Sequence, residues 1–182
     1  MQVTTPMPLE IVVDVVNEWG TTPRTAAEEH DTPFPSIRAV MSKHAWPVPR
    51  AWRPALSDQE LVRAADLLFA VFAAARHAEV ARSVNALVTQ LGLQPRLAFR
   101  DAEFRSGFVA RQPQDALLAA AVHSLMGYLT ERDEPRLGTC TGRRCADVYA
   151  DLSPGRQRRF CSVKCQNRSR VAAFRARRPG AG

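Results

Sequence analysis

The sequence predicts an α+β fold that is predominantly α. A helical N-terminal domain over residues 1–135 carries a small β element, and a small cysteine-bearing module follows over residues 136–182. Three observations predict it. Apolar residues recur at helical spacing in four segments. Between the third and fourth of these, residues 94–111 change to the alternation of short strands. Finally, all four cysteines, Cys140, Cys145, Cys161 and Cys165, fall within the last 43 residues.

The elements follow in order. Leu9, Ile11, Val12, Val15, Val16 and Trp19 share one broad helical face, and Gly20 is placed to end it. The β-branched run Ile11–Val13 argues for a strand instead; the helix is the expectation. Residues 20–55 contain Pro23, Pro33, Pro35, Pro47, Pro49 and Pro54. Missing amide donors and fixed φ angles predict an extended, partly mobile connection lying over the body. Ser57-Asp58-Gln59-Glu60 has the form of a capping box. Behind it, Leu61, Ala64, Ala65, Leu68, Phe69, Phe72 and Ala75 keep helical spacing towards Arg76 and His77. A further helix runs from about Ala78 to Leu91 and stops at Gly92. Arg96–Phe99 and Phe104–Val109 alternate as two strands. Asp115 opens a last helix of the body through Leu118, Val122, Leu125, Met126 and Leu129, and Glu131–Leu137 forms a charged link to the cysteines.

Two close cysteine pairs separated by fifteen residues suit a structural metal. Tetrahedral Zn²⁺ takes four thiolates, and short spacings let neighbouring ligands reach one ion. Binding releases roughly 10–16 kcal/mol, enough to fold a segment too small for its own core. Two disulfides are the alternative. The N-terminus MQVTTPMPLE has no basic n-region, and Asp14 breaks the apolar run Ile11–Val16, so no export signal is expected. No apolar stretch approaches the roughly 20 residues of a membrane span. A reducing, cytoplasmic setting is therefore expected, and there clustered cysteines favour metal. Neither pair has the Cys-x-x-Cys spacing of a redox site. A turn with Cys140 and Cys145, a hairpin around Val148–Arg159 and a helix from about Ser162 to Arg177 give an order like a treble clef. Phe160, Val163 and Phe174 are expected to form its small core.

Charge divides the chain sharply. Residues 140–182 hold eleven Lys/Arg against Asp147 and Asp151, whereas the first 139 residues hold fourteen basic and sixteen acidic groups. Four thiolates and one Zn²⁺ lower the basic excess by two. A basic module on a near-neutral body is the footprint of nucleic-acid binding, although charge alone also fits a solubilising tail or an acidic partner.

Cys161-Ser162-Val163-Lys164-Cys165-Gln166-Asn167-Arg168, followed by Val171, Phe174, Arg175, Arg177 and Arg178, resembles the CGNR zinc-finger family. Cys140…Cys145, Tyr149-Ala150-Asp151 and Arg158-Arg159-Phe160 suit that pattern. Members usually pair the finger with an N-terminal helical domain called ABATE, and Leu9–Asn17 resembles its opening Leu-Asp-x-Val-Asn element. The resemblance implies a bacterial transcription regulator whose N-terminal domain senses a ligand or stress. Two departures stand out. Gln166 replaces the namesake glycine, which favours an uninterrupted helix, and the second cysteine pair is spaced by three residues. On a helix, i and i+4 side chains share a face, so Cys161 and Cys165 can still reach one metal.

Lys164, Arg168, Val171 and Arg175 lie at i, i+4, i+7 and i+11 on one stripe, with Arg170 and Arg177 in a neighbouring row. With Arg158, Arg159, Asn167 and Arg178 they are the candidate DNA-binding set. Arg can address guanine and Asn adenine, while most cations meet phosphate. One finger supplies little specificity, so a homodimer is expected. The alternative is an RNA-binding or protein-interaction module. His30, His44, His77 and His123 are scattered, and no phosphate loop or zincin motif occurs, so no catalytic site is expected. Asp14, Asn17, Arg76, His77 and His123 are the candidate contacts for a small effector.

Overall fold

The computed structural model describes residues 3–100, 102–131, 136–152, 155 and 157–176. Helix α1 (Leu9–Trp19) runs through the middle of the body, with Ile11, Val12, Val15, Val16 and Trp19 buried. Apolar positions at i, i+1, i+4, i+5 and i+8 make a two-wide stripe, so the helical period prevails over the β-branched run. The Gly20 amide closes the helix on the Val16 carbonyl at 2.9 Å.

The proline-rich segment is not the extended connection that its composition predicts. It forms α2 (Thr21–Ala26), α3 (Ile37–Ser42) and a 3₁₀ turn at Arg53–Ala55. Val40, Met41, Val48 and Trp52 are buried in the core. Pro23 falls in the first turn of α2, where its missing amide costs nothing. The Thr21 amide and hydroxyl both donate to Asp66 at 2.7 Å. Arg24 donates to the Glu18, Glu29 and Thr32 carbonyls. Its guanidinium lies 4.4 Å above Phe34, which stacks on Trp19.

Helix α4 (Asp58–Ala73) starts at the expected cap, with the Glu60 amide donating to Ser57 Oγ at 3.3 Å. It ends at Ala73 because Ala74 turns to extended backbone, and the Glu79 carboxylate takes the Ala75 and Arg76 amides instead. Helix α5 (His77–Gln90) follows. Gly92 sits just beyond it at φ +57°, the left-handed position that glycine occupies without strain. Strands β1 (Gln94–Arg100) and β2 (Glu103–Val109) form an antiparallel hairpin. Helix α6 (Ala116–Thr130) buries Leu117–Val122, Ser124, Leu125 and Tyr128. Ahead of it, buried Asp115 accepts from Arg63 at 2.6 Å.

Most of the expected Glu131–Leu137 link, residues 132–135, lies outside the described residues, and Leu137 belongs to a strand. Strands β3 (Leu137–Thr139) and β4 (Val148–Ala150) pair antiparallel, and α7 (Val163–Ala176) follows. The β3–β4 pair packs on α1 and α4, and Val148 is fully buried within the body's own core. Among the described residues, no helix is long and apolar enough to cross a membrane.

Candidate metal centre

The first cysteine pair lies in the β3–β4 connection. The Cys140 amide donates to the Asp147 carbonyl at 2.7 Å and closes that loop. Arg144 turns it at φ +54°. At Gly142 an added Cβ would stand 3.2 Å from Cys140 Sγ and 3.5 Å from Cys165 Cβ, so a side chain would crowd the sulfurs. Its amide points at Cys140 Sγ, 3.4 Å away. The hairpin thus forms across the cysteine loop and not, as the sequence predicts, within Val148–Arg159. After β4 the chain doubles back without a strand among the described residues.

The second pair sits at the head of α7. Ser162 caps the helix, its Oγ accepting from the Cys165 amide at 3.3 Å. Cys161 lies before the first turn and Cys165 one turn on, and their sulfurs are 3.5 Å apart. Helix α7 continues unbroken through Gln166, as its replacement of glycine predicts.

All four Sγ atoms lie within 4.8 Å of one another, and Cys145 and Cys161 approach to 3.7 Å. A tetrahedron with Zn–S bonds of about 2.3 Å has S···S edges of about 3.8 Å. The residues therefore fit one Zn²⁺ with no further ligand, which makes the site structural. None of the four is in a disulfide.

Without metal, Cys145 and Cys161 resist ionisation. Burial pushes the Cys145 thiol up to about 12, and burial with the nearby Asp147 raises Cys161 as well. At Cys165 burial is outweighed by hydrogen bonds from Cys161, Cys145 and Ser162 and by the Arg168 charge, and the thiol falls below its ordinary value. A divalent ion must displace the protons that remain, so its hold weakens as pH falls. Arg168 donates to Cys165 Sγ at 3.1 Å, placing positive charge beside what becomes a doubly negative Zn(Cys)₄ centre.

Arg158 braces the loop that delivers Cys161. Its guanidinium donates to the carbonyls of Phe160, Ala150 and Cys161 and lies 5.3 Å from the Tyr149 ring. Its amide donates to the buried Asp151 carboxylate, and its carbonyl accepts from Tyr149 Oη at 2.7 Å. This side chain, expected at DNA, is exposed, and its guanidinium donors meet carbonyls of the finger. Arg159 is exposed, and its carbonyl receives the Thr141 amide and hydroxyl, both at 3.0 Å. Lys164, Asn167, Arg168, Arg170 and Arg175 are exposed along α7. Arg177 and Arg178 lie outside the described residues. Val163 and Phe174 are exposed, contrary to the expected small core, while Phe160 is partly buried. Cys165 is the one residue of α7 that is buried, because the helix leans on the metal ligands and then leaves the body.

The candidate effector contacts do not gather at one place. Asp14 accepts from His44 at 3.0 Å, and Asn17 joins body to finger. Its Nδ2 donates to the Val148 carbonyl at 3.2 Å and its Oδ1 accepts the Val148 amide at 2.6 Å. Both line a recess of about 280 Å³ between α1 and the finger, walled also by Leu9, Val13, His44 and Cys161. Arg76 and His77 instead stand exposed at the α4–α5 turn. His123 faces β2, edge-on to Phe108 at 5.6 Å. Ser162 was readable as a cap from its place three residues before Cys165. The roles of Asn17 and Arg158 depend on the folded backbone and leave no local signal.

A four-thiolate centre holding a β-hairpin against a helix defines a zinc finger. Residues 136–178 match the CGNR zinc finger family, with all four cysteines inside the matched span. No curated protein matches the chain.

Proposed function

We propose that the protein is a zinc-dependent, DNA-binding transcriptional regulator of the reducing cytoplasm, gated by a small ligand or stress signal at its helical, ABATE-like body. The observation that carries this reading is α7. It is fourteen residues, about 21 Å, of helix. It is fixed at its head by zinc and exposes Lys164, Arg168, Arg170 and Arg175. Such a cylinder fits a major groove about 12 Å wide. Val171, within the cationic stripe and 49% exposed, suits a thymine methyl group. The role is binding, because cysteine fills every metal position. Gating has a physical route in the recess that touches both α1 and Cys161.

The test uses zinc-loaded, full-length protein. If the four α7 cations each neutralise one phosphate, log affinity falls with log salt at a slope near −3.6, about 150-fold between 50 and 200 mM. Selection from random duplexes is expected to enrich one discrete motif. Sequence-blind binding, or a preference for RNA, would instead assign an RNA-binding or protein-interaction module. The exposed Val163 and Phe174 favour that second reading.

A further inference from the structure

The β1–β2 hairpin outgrows the body. At its base Phe108 turns both its amide and its carbonyl to Thr4, at 3.3 and 2.8 Å. Pro95–Phe108 is therefore a non-hydrogen-bonded pair across the hairpin, and so are Leu97–Ser106 and Phe99–Phe104 further out. These pairs share one face, and the Phe99 and Phe104 rings meet at 4.9 Å. Phe108 is buried on that face, but Leu97, Phe99 and Phe104 are 66%, 63% and 72% exposed. Between the face and α6 lies a recess of about 570 Å³ lined by Leu97, Phe108, His123 and Met126, with Arg96 and Glu131 also on its wall.

We infer that this face receives a second copy of the chain, two hairpins clasping across a two-fold axis so that Phe99 and Phe104 of each enter the other's recess. Projection and recess adjoin on one surface, which is the self-complementarity a two-fold contact needs. Leu97, Phe99, Phe104 and Met126 leave roughly 400 Å² of apolar surface in water, about half of what one partner of a standard interface buries. Pairing through the open edge of β1 is discouraged. The non-hydrogen-bonded residues turn their backbone groups to that edge, where Pro95 has no amide and its carbonyl already accepts from Arg96 at 3.0 Å.

Sedimentation of the zinc-loaded, full-length chain tests this without DNA, so its outcome is separate from that of the regulator reading. The wild type is expected at twice 20.1 kDa. Phe99→Ser with Phe104→Ser is expected to sediment as a monomer with unchanged helicity, its thermal midpoint lowered and, unlike the wild type's, independent of protein concentration. A wild type that stays monomeric at millimolar concentration leaves the face to some other protein and overturns the inference. A serine variant that remains dimeric overturns it equally.

Discussion

Asn17 places both ends of one amide on the backbone of Val148, 131 residues away. Alanine there leaves a largely enclosed amide and carbonyl without partners. Asn17→Ala should cost about 2 kcal/mol and lower the melting temperature of the zinc-loaded protein by about 6 °C; calorimetry checks this. His123 gives a pH signature. Burial lowers its pKa below 6.5, against an opposing Thr4 backbone contact, so the fold favours the neutral ring. Its stabilising contribution is complete above pH 6.5 and is lost as pH falls towards the folded value. Urea midpoints between pH 5 and 8 should fall with acid more steeply for the wild type than for His123→Gln. Taking that difference cancels the zinc site's own acid sensitivity.

At the scale of elements, α7 depends on its metal. A fourteen-residue helix with one buried side chain is marginal in water. Chelation is expected to melt it, with far-UV circular dichroism losing about fourteen residues of helix, and zinc should restore the signal. An unchanged spectrum would show that α7 stands alone. The same elements show what the chain makes legible. Helix α4 announces itself by period and start signal, and the cysteine cluster by spacing. Residues 20–55 do not, because prolines at helix starts and turns look the same in sequence as prolines in a loose linker. Their anchors, Arg24 on three carbonyls and Trp52 in the core, arise from tertiary packing. Strands of three residues, such as β3 and β4, are too short to show a period. Arg158 was legible as a cation, yet its orientation depends on three carbonyls that converge only after folding.

Across the whole molecule, body and finger share one apolar interior through Val148, with Leu137 packed against it. Metal loss should therefore weaken the body too. Buried Trp19 fluorescence reports the body, and the visible absorption of Co²⁺ bound in place of zinc reports the finger. The two are expected to trace one coincident denaturation curve; separate midpoints would mean independent units. The joint has a consequence for how such a finger can be inherited or engineered. Cut out at residue 136, it would carry Val148 bare into solvent. Grafting it onto a foreign scaffold should succeed only when a helix bearing an asparagine at the matching site travels with it.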